Sequence, residues 1–173
     1  LYALKIILSR HPRFPQPVSL WIVGGDISQK PFVWSRELNK LDKLRADLGI
    51  AAVVKFVGQQ PQASLPYYYC AADVVVMPSH YESFGMAALE AMACGTPIIA
   101  TNVTGISPLI QKKSLGVVTS ANNPLLLAAQ IEELLTDTTG LQRKRLLAHR
   151  QAARFSWERV ARQLQTIYRR LLL

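Results

Sequence analysis

Cysteine is scarce: Cys70 and Cys94 are the two in 173 residues, too few for a disulfide framework. Together with three scattered histidines, His11, His80 and His149, they show no metal-ligand spacing, so no metal is expected. Reduced thiols in a cytoplasmic protein are the expected state, each cysteine serving as a small buried hydrophobe. Long hydrophobic runs are missing as well. No stretch approaches the roughly 18 consecutive apolar residues of a membrane span. The opening run 1–8 is interrupted by Lys5 and is followed by no small-residue cleavage site, so a soluble chain without a signal peptide is expected. Neither G-x-G-x-x-G nor G-x-x-x-x-G-K-[ST] occurs, which discounts a dinucleotide-dependent oxidoreductase and a P-loop NTPase. Acidic residues are few, 11 against 20 Lys and Arg, for a formal charge of +9. That shortage is local, because residues 1–140 hold 11 basic and 10 acidic side chains whereas 141–173 hold nine and one. A nucleic-acid reader would gather charge and aromatics around its working surface. Here the excess lies in a helical tail, and no nucleic-acid partner is expected.

What is present is a foldable core. Half the residues are hydrophobic, 18% are charged and the mean hydropathy is +0.14, far from a disordered composition. The length suits one ordinary domain. Five short apolar or β-branched runs, at 18–23, 53–57, 73–77, 97–101 and 116–119, alternate mostly with helical stretches. Several, notably Val74-Val75-Val76-Met77, have no polar alternate, as parallel strands covered on both faces require. The expectation is an α/β fold, a Rossmann-like, doubly wound parallel sheet. Leu38, Leu41, Leu44 and Leu48 recur at helical spacing over 35–48 and Gly49 suits the helix exit. Three closing helices are expected at 124–135, 141–155 and 156–173, the last capped by Ser156 with Glu158 in its first turn. Residues 1–10 already read as a helix with no strand before them and no initiating methionine, so the chain is expected to be cut from something larger.

Chemistry concentrates in residues 77–97. Pro78 ends a strand, Ser83 can cap a helix over 84–94, and Gly95 followed by Pro97 terminates it. A helix N-terminus at the carboxyl end of a parallel strand is where open α/β sheets bind ligands, and free N–H groups near Gly85, Met86 and Ala87 would favour a phosphate. Two carboxylates frame this end: Glu82 in the loop, and Glu90 about 9 Å beyond Phe84 at a rise of roughly 1.5 Å per residue. Carboxylates repel phosphate but accept hydrogen bonds from hydroxyls, so the pair suits a sugar and a ribose flanking a diphosphate. His80 has no nucleophile or metal partner near it and is read as a loop residue, and Tyr67-Tyr68-Tyr69 after Pro66 as packing.

The string Pro78-Ser79-x-x-Glu82-Ser83-Phe84-Gly85-Met86-x-Ala88-Leu89-Glu90-Ala91-Met92-Ala93-Cys94-Gly95-Thr96-Pro97, with its Glu82-x7-Glu90, resembles the GT-B retaining glycosyltransferases that include sucrose-phosphate synthases and bacterial mannosyltransferases. Val23-Gly24-Gly25, residues 54–58, Ala71-Ala72-Asp73 and Phe155-Ser156-Trp157-Glu158 extend the resemblance over the whole chain. It implies a C-terminal, nucleotide-sugar-binding half spanning 1–173, without its first strand or the N-terminal acceptor domain. Glu82 would bind hydroxyls of the transferred sugar and is the catalytic candidate. Phe84, Gly85, Met86 and Ala87 would line the sugar and diphosphate through backbone groups, and Glu90 would hold the ribose. The backbone at Val57, Gly58 and Gln59 would meet the base, and Gly24 and Gly25 would lie near the phosphates. The implied reaction transfers a hexose, with UDP-glucose the expected donor, by front-side attack assisted by the leaving diphosphate, with no cofactor and no obligatory metal. Two departures are visible: the Arg and Lys that usually neutralise the diphosphate would precede Leu1, and Thr104-Gly105 replaces a commoner pair of glycines. The fragment alone would be inactive. The basic C-terminal helices are read as a solvated face, with contact to the missing domain or peripherally to the inner face of an anionic membrane as the other readings. A non-catalytic nucleotide- or nucleic-acid-binding α/β module is the alternative function.

Overall fold

The chain opens on helix α1 (Tyr2–Arg10), whose Ala3, Leu4 and Ile7 fall on one face and are buried. A computed structural model describes residues 1–11, 17–27, 35–103, 105, 110, 116–120 and 122–171. It forms two compact units, Leu1–Leu65 with Asn122–Glu132, and Pro66–Ala121 with Glu133–Leu173. The expected residue Thr104 and the last two residues of the closing helix, 172–173, lie outside the described residues.

In the first unit, β1 (Leu20–Val23) and β2 (Val54–Gly58) pair in parallel, Leu20 opposite Val54 and Ile22 opposite Phe56, with a register shift between Ile22 and Val23. Between them runs α2 (Arg36–Asp47). The Leu38 amide donates to Ser35 Oγ at 3.2 Å at its start. At its exit Gly49 N–H bonds the Ala46 carbonyl and Ile50 N–H the Arg45 carbonyl, the paired closure that a glycine after a helix permits. Leu4, Ile50 and Val54 form one buried cluster, and Ala3 and Ile7 join Ala128 of α5 (Pro124–Thr136) in another. Contrary to the expectation of strands covered on both faces, this ladder alternates. Trp21 is 51% exposed, with Lys55 Nζ 4.5 Å above its ring, a cation–π contact on the aromatic face.

The second unit holds β3 (Val75–Met77), β4 (Ile98–Thr101) and β5 (Gly116–Thr119), parallel in the order β3-β4-β5. Every residue of β4 is buried, as the continuous apolar pattern requires. Its helices are α3 (Leu65–Ala71), α4 (Met86–Ala93), α6 (Thr138–Ala152) and α7 (Trp157–Leu171). Ala88, Ala91 and Met92 of α4 are fully buried with Ile98, and Ala148 and Ala152 of α6 complete the core. Small residues at the α4–α6 contact let two helices approach closely. Helix α6 begins three residues earlier than its pattern suggests, because Asp137 Oδ1 accepts the Gly140 amide at 2.8 Å and caps it. Ser156 precedes α7 as expected, its carbonyl accepting from Arg159 and Val160.

Candidate functional site

Helix α4 begins at Met86, two residues later than the sequence suggests, and its cap is Gly85 rather than Ser83. Gly85 has φ +81°, a left-handed conformation that an L side chain resists, so the turn into the helix needs a glycine there. Capping comes instead from Glu82: its Oε1 accepts the amides of Gly85 at 3.0 Å and Phe84 at 3.4 Å. Contrary to the expectation of a free N–H at Gly85, that group is taken by Glu82. The amides of Met86 and Ala87 have no acceptor among the described residues. Phe84 and Gly85 sit in the loop, with Met86 and Ala87 in the first turn of the helix. A carboxylate at a helix N-terminus is stabilised by the dipole, so Glu82 is held in place while Oε2 accepts nothing among the described residues.

Three further contacts fix this loop. Thr101 Oγ1, buried at the end of β4, donates to the Ser79 carbonyl and, at 3.4 Å, to that of Met77. Gly105 N–H donates to the Glu82 carbonyl at 3.1 Å. A Cβ on Gly105 would lie 2.3 Å from the Glu82 carbonyl oxygen and 2.6 Å from the Phe84 nitrogen. The departure from a glycine pair thus leaves in place the glycine that the loop needs. The Phe84 ring meets Phe155 edge-on, centroids 6.2 Å apart at 72°, a favourable aromatic geometry.

Glu90 lies on the half-buried side of α4. Tyr69 Oη donates to its Oε2 at 3.1 Å. Burial, and then the Glu90 bond, push the Tyr69 hydroxyl up to about 12, so it remains a donor at neutral pH. The cysteines correct an expectation: Cys70 is exposed and Cys94 half-buried, both free. They are close enough that burial and then Cys70 raise the Cys94 thiol. His80 is an exposed loop residue.

The remaining candidates belong to the first unit. Gly25, Val57, Gly58 and Gln59 line an open cleft of about 530 Å³ with Asp26, Ile27, Gln60 and Pro61. Gly24 N–H bonds the Gly58 carbonyl and Gln59 N–H the Gly25 carbonyl, each at 2.8 Å, so the two glycine turns that follow β1 and β2 are stitched into one wall. Of the cleft residues, Asp26, Ile27, Gln60 and Pro61 were not pointed to by the sequence. Among the described residues no three His, Cys, Asp or Glu side chains group as a metal site would, and no helix is long and apolar enough to cross a membrane.

Residues 4–153 match the family described as Glycosyl transferases group 1. The chain belongs to this family. A D-inositol 3-phosphate glycosyltransferase of Thermobispora bispora is 42% identical over 171 residues, 97% of this chain and 38% of that protein. The sucrose-phosphate synthase of Thermosynechococcus elongatus superposes with a TM-score of 0.81 at 32% identity, over 99% of this chain and 42% of that one. HepE of Anabaena, solved in complex with UDP-glucose, gives 0.76 at 25% identity, over 95% and 44%. The chain spans about two fifths of the length of the curated relatives it matches. As a group 1 glycosyltransferase domain of GT-B type, it carries the Glu82-x7-Glu90 pair at the start of α4. The sequence did not assign the contacts around that pair: Tyr69 on Glu90, Thr101 and Gly105 on the loop backbone that carries Glu82, and Phe155 on Phe84. Gly105 was visible as the remaining glycine of an altered motif, Phe155 as part of the string that opens the last helix, and Tyr69 only as one of three tyrosines read as packing.

Proposed function

We propose that this chain binds the nucleotide-diphosphate sugar donor of a retaining glycosyltransferase that transfers a hexose, with UDP-glucose as the donor. The observation that carries the reading is the pair of fixed carboxylates. Glu82 keeps Oε2 for a sugar hydroxyl while its Oε1 caps the turn, and Glu90 keeps Oε1 for the ribose while Oε2 is bonded to Tyr69. The diphosphate takes the open amides of Met86 and Ala87 at the helix N-terminus. Gly24, Gly25, Val57, Gly58 and Gln59 receive phosphate and base. Because Glu82 already offsets part of the positive helix end, the departing diphosphate needs cations from elsewhere, the Arg and Lys that the resemblance implies in a preceding strand-loop. Attack occurs on the face the leaving group departs from, with no obligatory metal, and the acceptor is held by a further domain. The UDP-glucose complex of HepE supports the donor assignment, and the name of the Thermobispora relative supports a phosphorylated polyol as acceptor.

Calorimetric titration of the full-length protein with UDP, GDP, ADP and their glucose or mannose conjugates tests this, beside Glu90→Ala. UDP and UDP-glucose should bind, and the variant should weaken both at least tenfold. Binding unchanged by Glu90→Ala but falling steeply with salt would sink the reading in favour of a nucleic-acid contact through α6 and α7.

A further inference from the structure

The geometry points to Tyr69 as a positioning residue that fixes the Glu90 carboxylate for the donor, an inference that rests on the donor-site reading above. Three tyrosines follow one another on α3, and they are not equivalent: Tyr67 is 77% exposed, whereas Tyr69 is half-buried against the core that includes Ala88, Ala91 and Met92. Its hydroxyl reaches Glu90 Oε2 at 3.1 Å, across 21 residues of sequence. The backbone beneath it is held from two directions. The fully buried Thr96, just past the end of α4, donates Oγ1 to the Tyr69 carbonyl at 2.5 Å. From α6, Arg145 Nη2 donates to the carbonyls of Ala72 at 2.9 Å and Cys70 at 3.4 Å. The last turn of α3 is thereby tied both to the helix that carries Glu90 and to the helix packed behind it.

A glutamate on a helix surface ordinarily samples several rotamers and must be ordered when a ligand binds. Here one oxygen is already committed to a phenol whose own backbone is clamped. Glu90 Oε1 accepts nothing among the described residues, and it is presented in one orientation. Tyr69 touches no reacting atom; it acts through Glu90, by preorganisation. Its ring also packs, and phenylalanine keeps that packing while removing the hydroxyl, which separates the two roles.

The test is a double-mutant cycle in the full-length enzyme: wild type, Tyr69→Phe, Glu90→Ala and the double variant, each titrated calorimetrically with UDP, GDP and ADP and assayed with the corresponding glucose conjugates. The expected result is that Tyr69→Phe weakens nucleotide binding about five- to tenfold, and adds nothing once Glu90 is alanine. KM for the donor should rise with kcat nearly unchanged, since the ribose contact is the same before and during transfer. The melting temperature of Tyr69→Phe reports whether packing is kept. If Glu90→Ala weakens binding and Tyr69→Phe does not, the positioning role falls and the donor site survives. Equal loss from Tyr69→Phe in both backgrounds also overturns it, because Tyr69 would then act without Glu90. If Glu90→Ala changes nothing, the donor-site reading falls and takes this inference with it.

Discussion

Helices α4 and α7 belong to the same unit and use their apolar residues in opposite ways. In α4 the sequence Met-Ala-Ala-Leu-Glu-Ala-Met-Ala is apolar nearly all round, and three of its residues are fully buried. In α7, Trp157, Val160, Leu164, Ile167 and Leu171 form a stripe at three- and four-residue spacing opposite a face rich in Arg, and none of its residues is buried. Trp157 is 80% and Leu171 76% exposed. An all-apolar helix announces that neighbours surround it. A striped helix announces that one neighbour is wanted, without saying which. The contrast also explains the position of Glu90: on a helix packed against β3, β4 and α6, the one acidic side chain occupies the side that Tyr69 approaches.

The comparison can be tested from its buried end outward. Met92→Ala removes a fully buried side chain from the α4 core and should cost about 2–5 kcal/mol in denaturant unfolding; a loss no larger than that of a surface substitution would show that α4 is not the centre of its unit. Gly105→Ala forces a Cβ into the backbone of residues 82–84. It should cost about 1–3 kcal/mol and weaken donor binding more than stability, because the strain falls on the loop that carries Glu82. Unchanged affinity would mean that the loop is not held from that side. Leu164→Ser on the α7 stripe should shift unfolding of this chain by under about 0.5 kcal/mol, and a larger loss would reveal that the stripe is covered in solution. The smallest effect belongs to Glu158 at the start of α7. Its hydrogen bond to Ser156, then one from its own backbone, lower its carboxyl below 4.5. A carboxylate with a depressed folded value stabilises above its unfolded value and loses that contribution as pH falls through the folded one. The helical signal followed by circular dichroism should therefore become less pH-dependent below pH 4.5 in Glu158→Gln, and identical profiles would remove the capping role.

Much of this was legible one residue at a time. The cap position at Ser156, the closing turn at Gly49, the strand at 116–119 and the Glu82-x7-Glu90 string all depend on neighbours within about one helical turn or one motif length, where propensity and hydrogen-bond geometry act directly. The sequence misplaced the start of α4 because two good caps competed. Ser83 has the preferred side chain, yet Glu82 takes the Phe84 and Gly85 amides and Gly85 turns left-handed, while the loop is pinned by Thr101 and Gly105, both far along the chain.

By itself the sequence determined the alternation of strands and helices, the family, and the pair of carboxylates, since these are written in short-range pattern and composition. Only the tertiary structure decided which of three tyrosines meets Glu90, that Cys70 is exposed, and that one face of the β1–β2 ladder carries Trp21 under Lys55. Such choices depend on packing between segments tens of residues apart, where many side chains of similar character compete and close-packed volume, not local preference, selects among them.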